Sequence, residues 1–273
     1  MKVTSRDGTT LDVLTTGHGP ALLIVPGALT TAVDHVELAR ALAPSYTTHI
    51  IERRGRGASG PQGPCYGIER ECEDVAAVAS ATGARYLFGH SYGGFVVLEA
   101  ARRIAGLAGI AVFDAGVSIG GSLPMDWATR YERDLRRGRR LAALTAFARA
   151  TGPESAARTP QWLMCAVLAI VIRGEERARK WQLLEANLRE HREISRRDST
   201  HTDYGAISAP VLVMYGGRSG RRTASDARSL ADVIPRATLR ECADLGHFAP
   251  EKRPVLVASE ITRFLNDPDG DGP

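Results

Sequence analysis

Lysine is nearly missing from this 273-residue chain: Lys2, Lys180 and Lys252 are the three lysines among 35 basic residues, and the rest are arginine. Aromatic residues are also sparse, at 6%. They are not interleaved with the basic clusters, which argues against a stacking platform for single-stranded nucleic acid. No apolar run reaches the roughly 18 residues that a membrane span requires. The longest, Trp162 to Ile172, has the length of a core helix. The first fourteen residues lack the apolar block of a signal peptide and read as strand and turn, so a cytoplasmic location is expected. Cys65, Cys72, Cys165 and Cys242 show no metal-type spacing and fit idle thiols in a reducing compartment. What remains is an ordinary globular composition, 44% hydrophobic and 24% charged, which excludes a disordered, collagen-like or coiled-coil chain.

Strand-like and helix-like segments alternate, the pattern of a mostly parallel sheet with helices on both faces. Thr9–Thr15 alternates apolar and polar positions like an early antiparallel strand. Ala21–Val25 is a continuous apolar run ended by Pro26-Gly27, as in a buried central strand. Thr48–Ile51, Arg85–Phe88 and Gly109–Phe113 continue the strands, and Ile68–Ala81 and Phe95–Ile104 read as helices. From Gly120 to Tyr204 only helical patterns occur. Strands resume at Pro210–Tyr215 and Ala237–Glu241, with helices at Ser225–Val233 and Val255–Leu265. The expected plan is a core domain of residues 1–119 and 205–265, a helical cap of residues 120–204 inserted after the sixth strand, and a disordered tail of residues 266–273.

Gly89-His90-Ser91-Tyr92-Gly93 lies between an apolar strand and an apolar helix. A tight strand-to-helix turn needs small residues two before and two after the serine. It lifts the hydroxyl clear of the backbone, at a helix N-terminus whose amides face developing negative charge. Ser91 is the expected nucleophile. A serine hydroxyl needs a base. Of seven histidines, His247 follows Gly246 after the last strand pattern and precedes the closing helix, which makes it the candidate. His90 reads as a packing or pocket residue.

On these residues, together with Pro26-Gly27-Ala28 and Arg54-Gly55-Arg56-Gly57-Ala58-Ser59, the chain resembles the α/β-hydrolase superfamily of the cap-domain type across nearly its whole length. The resemblance implies an α/β-hydrolase fold and an oxyanion hole made by the backbone amides of Ala28 and Tyr92. It also implies a structural turn for the Arg54–Ser59 run, whose arginines receive no chemical role. Where the family usually carries histidine before the first of these glycines, this chain has Pro26. For the triad acid, many relatives place a carboxylate shortly after the strand matching Pro210–Tyr215, but that loop, residues 216–222, holds none before Asp226. Other relatives place it at the end of the strand after the nucleophile helix, here Asp114. Asp114 is preferred, with Asp226 or a site lacking this acid left open.

Charge is uneven. Residues 120–204 hold sixteen basic and eleven acidic side chains, leaving the remainder with nineteen and twenty. The overall +4 therefore belongs to the cap. A solvated face with mixed-sign pairs such as Glu185 and Arg189 explains it, and attraction of an anionic substrate is the competing reading. Trp127 and Trp162 in the cap, with His90 and Phe248, are the candidate pocket side chains, although the tryptophans could equally form the cap's own core.

The combined expectation is a serine hydrolase cleaving an ester, lactone or thioester of a small or lipid-like metabolite through Ser91, His247 and Asp114. It would need no metal and no organic cofactor, and would bind no nucleic acid. An anionic substrate and a homodimer remain open. Carbon–carbon bond hydrolysis, acyl-carrier release or cyclisation, and a catalytically silent binding protein are the alternatives.

Overall fold

The computed structural model describes residues 1–267. One eight-stranded sheet runs in the order β1-β2-β4-β3-β5-β6-β7-β8. Its strands are β1 Lys2–Thr4, β2 Thr10–Gly17, β3 Ala21–Val25, β4 Thr47–Glu52, β5 Tyr86–His90, β6 Gly109–Phe113, β7 Val211–Gly216 and β8 Ala237–Cys242. β1 and β2 pair antiparallel, and β2 runs antiparallel to β4. Every pairing from β4 to β8 is parallel. The helices are α1 Val36–Leu42, α2 Ile68–Thr82, α3 Tyr92–Ala101, α4 Ala128–Arg136, α5 Arg140–Thr151, α6 Glu154–Arg158, α7 Gln161–Val171, α8 Gly174–Arg196, α9 Arg221–Val233, α10 Ala249–Lys252 and α11 Pro254–Asn266.

Alternation along the central strands explains the two layers of core, because successive side chains point to opposite faces. Leu23, Val25, Leu87, Val112 and Val213 pack with residues of α2, α3 and α9 on one face. Leu22, Ile24, Phe88, Phe113 and Met214 pack with α1 and α11 on the other. Parallel strands covered on both faces are apolar throughout, which is why Ala21–Val25 and Gly109–Phe113 are unbroken hydrophobic runs. Helix α3 is buried along its entire length.

Between β6 and β7 the chain leaves the sheet for α4 to α8. These helices have a core of their own, with Trp127, Tyr131, Leu144, Leu183 and Leu188 closing over Leu29 of the loop after β3. Helix α8, at 23 residues, spans about 34 Å. Several cap arginines meet acids of the sheet layer: Arg196 with Glu69, Arg197 with Glu99, and Arg179 with Asp34. Part of the cap's positive excess therefore holds it to its base. Among the described residues, no helix is long and apolar enough to cross a membrane. The tail expected from residue 266 lies, from residue 268 onward, outside the described residues. Asn266 itself ends α11, and its side-chain oxygen accepts a hydrogen bond from the Tyr46 hydroxyl at 3.1 Å.

Candidate active site

Ser91 sits at the junction of β5 and α3 with φ 54° and ψ −122°, a backbone conformation that costs a non-glycine residue about 1–3 kcal/mol. Its surroundings enforce the strain. Gly94, Phe95 and Gly116 all donate amide hydrogen bonds to the Ser91 carbonyl, and the Ser91 amide donates to Phe113. The two flanking glycines are required by close approach. A Cβ on Gly89 would lie 2.5 Å from the Gly93 carbonyl oxygen, and one on Gly93 would collide with the Val25 carbonyl.

Asp114 follows β6 directly and adopts φ 46°, a left-handed conformation that aspartate tolerates better than most residues. Its carboxylate is fully engaged. Oδ1 accepts the Gly216 amide at 2.9 Å, while Oδ2 accepts the Ser219 hydroxyl at 2.6 Å and faces His247 Nδ1 at 3.0 Å. Burial works to raise its pKa, but hydrogen bonds from His247, Ser219 and Gly216 hold it below the usual aspartate value. Asp226, the other candidate acid, lines the same cavity as Asp114, but the histidine contact goes to Asp114. Asp226 accepts the Ser122 hydroxyl at 2.9 Å, and burial pushes its pKa up to about 6.

Ser91, His247 and Asp114 line one cavity of about 320 Å³ between the sheet and the cap, together with Ala28 and Tyr92. The Tyr92 amide is among the first four of α3, which have no partner inside a helix. No acceptor among the described residues takes the Ala28 amide. The loop carrying Ala28 is held from below. Gly27 O accepts from Arg56 Nη1 at 2.6 Å and from Arg53 Nη1 at 3.2 Å, and Thr30 O accepts from Arg56 at 2.7 Å. Both guanidiniums pair with Glu190 of α8, and Arg53 also pairs with Glu71 at 2.6 Å. Arg53 further lies 4.5 Å from the centre of the Tyr92 ring. The Arg54–Ser59 run is thus structural: Arg54 pairs with Asp74 and Asp7. Arg53 drew no notice from sequence because its partner Glu190 lies more than 130 positions away.

Among the four expected pocket side chains, Phe248 lines the cavity, 5.3 Å from the His247 ring and edge-on to it. The other three sit elsewhere. Trp127 is buried in the cap core, its indole N–H donating to Pro124 O at 2.9 Å. Trp162 is 73% exposed on α7, because the inward positions of that helix go to Met164 and Leu168. His90 lies beneath the site: its Nε2 donates to the His247 carbonyl at 2.8 Å, and its Nδ1 is 3.2 Å from Glu251. Burial disfavours charge on His90, yet Glu251 outweighs it and raises the pKa. Burial likewise opposes ionisation of Glu251, and His90 brings it down to about 2. His35, His90 and Glu251 bring donor atoms within 4.8 Å of one another, a set that could hold a cation. The opposite shifts of His90 and Glu251 are those of a base and an acid in contact, each favouring the charged form of the other.

The comparisons agree with this architecture. A model of the alpha/beta hydrolase family matches residues 22–260. The chain belongs to that family. It is similar to an N-formylmaleamate deformylase of Pseudomonas putida, 26% identical over 243 residues that span 86% of this chain and 84% of the relative. It is also similar to a solved alpha/beta hydrolase from Sphaerobacter thermophilus, with 31% identity, a TM-score of 0.81, and coverage of 96% of this chain and 100% of the other. The enol-lactonase of Burkholderia xenovorans shares the fold at 22% identity and a TM-score of 0.74, with 98% of this chain and 100% of that one covered. This alpha/beta hydrolase is an enzyme. Ser219, Arg222 and His191, none of them singled out from the sequence, also line the cavity. An arginine in the Arg221-Arg222 pair and a single histidine in a charged helix carry no local signature.

Proposed function

We propose that the protein is a serine hydrolase of carboxylic esters, lactones or thioesters, working through Ser91, His247 and Asp114. The observation that carries this reading is the 3.0 Å contact between His247 Nδ1 and Asp114 Oδ2 at the cavity that Ser91 also lines. In this mechanism His247 takes the Ser91 proton as the hydroxyl attacks the carbonyl carbon. The amides of Ala28 and Tyr92 receive the oxyanion, and the imidazolium formed is stabilised by Asp114. His247 then protonates the leaving group and activates the water that frees the acyl-enzyme. With His247 Nδ1 held by Asp114, Nε2 is the nitrogen left to take the Ser91 proton, so the base is oriented by a third group.

The relatives bear on the bond cleaved. The Pseudomonas putida protein is named for removal of a formyl group from an amide, and the Burkholderia protein for an enol-lactone, so acyl transfer to water is the reaction they share. Stopped-flow hydrolysis of 4-nitrophenyl butyrate tests the reading. A burst of 4-nitrophenol stoichiometric with enzyme, absent in Ser91→Ala, is expected. Equal turnover by wild type and Ser91→Ala would overturn it.

A further inference from the structure

Arg222 is badly placed for stability and well placed for a ligand. It is the second residue of α9, in the first turn of a helix, where the helix dipole disfavours a cation. That turn carries no acid. The side chain lines the same cavity as Ser91 and His247, amid chiefly apolar neighbours such as Leu123, Leu144 and Phe147. Desolvation lowers its pKa, with Asp226 and Asp114 pulling the other way. Yet among the described residues no carboxylate comes within ion-pair distance of it. Asp226, one turn along α9, spends its carboxylate on Ser122, and Asp114 spends its own on His247, Ser219 and Gly216. Among the described residues Arg222 makes one hydrogen bond, donated from Nη2 to the Thr151 carbonyl at 2.6 Å, which anchors one arm of the fork under the cap. Lys180, the other cation on the cavity wall, is already held by Leu29 O and Glu176.

His191 of α8 completes this wall. Its Nδ1 donates to the Asn187 carbonyl at 2.9 Å, and burial holds its pKa down at about 4, so the ring is neutral. It faces Trp127 and Phe147 edge-on and lies near enough to Arg222 and His247 for both to disfavour its protonation. A neutral histidine adds no counter-charge here, so the contact that Asp226 and Asp114 do not make with the guanidinium is open to an anion on a ligand.

We infer that Arg222 is a specificity-determining residue that binds a carboxylate carried by the substrate, so that the enzyme acts on acidic rather than neutral esters. This rests on the hydrolase reading above and names the substrate class of the same site. A planar guanidinium with one arm anchored can present its remaining N–H donors to both oxygens of a carboxylate, the pairing for which arginine is best shaped. In a cavity lined chiefly by apolar groups that contact discriminates strongly, because a neutral analogue leaves the cation unpaired.

Two matched pairs of esters test the inference. One places the carboxylate on the acyl side, 4-nitrophenyl hydrogen glutarate against 4-nitrophenyl valerate. The other places it on the leaving group, 4-carboxyphenyl butyrate against its methyl ester. In at least one pair the wild type is expected to favour the acidic member in kcat/KM by about ten- to a hundredfold, mainly through KM. Arg222→Gln should erase that preference, and Arg222→Lys should retain part of it. No preference in either pair, or a preference that survives Arg222→Gln, overturns the inference. If the wild type cleaves the neutral members while showing no preference, only this inference fails. If it cleaves nothing and Ser91 does not react with a fluorophosphonate, the hydrolase reading fails instead. Calorimetry then decides the Arg222 site by itself: glutarate binding that is lost in Arg222→Gln supports it, and absence of binding to the wild type overturns it.

Discussion

Ser91 is held in a conformation that its side chain alone disfavours, and its partners are a histidine and an acid drawn from two other loops. In the proposed mechanism Asp114 orients His247 and stabilises the imidazolium, whereas Asp226 does neither. Asp114→Asn is therefore expected to lower kcat by about 10³- to 10⁴-fold. Asp226→Asn should cost less than about tenfold. Steady-state rates with one activated ester compare the two, and the reverse ranking would give the role to Asp226. The strain at Ser91 makes a separate claim. Ser91→Gly should be more stable than Ser91→Ala by about 1 kcal/mol, since only glycine relaxes at positive φ. Urea titration of the two inactive variants measures this, and equal midpoints would show that the turn carries no strain.

At the scale of elements, the loop after β3 is tied to the cap through Arg56 and Glu190, and through Arg53 to Glu71 on α2. Removing Glu190 leaves two buried guanidiniums short of a counter-charge. Glu190→Ala is expected to destabilise the protein by about 3–5 kcal/mol. It should also lower kcat with a neutral ester, because the Ala28 amide loses its support. Denaturant unfolding beside kinetics checks both, and a loss below 1 kcal/mol would mean the pairing is not structural. Much of the fold was legible where a strand is covered on both faces, as at Ala21–Val25 and Gly109–Phe113, since burial there writes an unbroken apolar run. The turn at Ser91 was legible because close approach at Gly89 and Gly93 demands glycine. Helix α1 was not, being seven residues with its apolar positions among charged ones. Helices α3 and α9 begin earlier than their apolar pattern, at Tyr92 and Arg221: in α3 the buried first turn holds Gly93 and Gly94, which write no apolar pattern, and in α9 Arg222 and Thr223 face the cavity. Trp162 misled for a physical reason too: α7 is apolar all round, so composition did not distinguish its inner face from its outer one.

For the whole molecule, buried histidines set the response to acid. His35 and His191 are both lowered to about 4 by burial, against an ordinary value of 6.5. Below that ordinary value the unfolded chain takes up protons that the folded chain refuses. Stability is therefore present above about pH 6.5 and is lost as pH falls from there to about 4, by up to about 3 kcal/mol per histidine. Asp226 and His90 oppose the trend, because their raised pKa values make the folded state bind a proton more readily than the unfolded chain, Asp226 between about 4 and 6 and His90 above its ordinary 6.5. Urea midpoints at pH 7.5 and pH 5 should differ in the stated direction, and His191→Gln should reduce the difference. A midpoint that is flat or rises on acidification would contradict this account.

The central claim, that one serine is activated by this arrangement, is tested most directly by intact-mass spectrometry after exposure to a fluorophosphonate. The account predicts addition of a single phosphonyl group, located by peptide mapping at Ser91 and abolished in both Ser91→Ala and His247→Ala. An unlabelled wild type with an accessible cavity, or a label on any other residue, would contradict it.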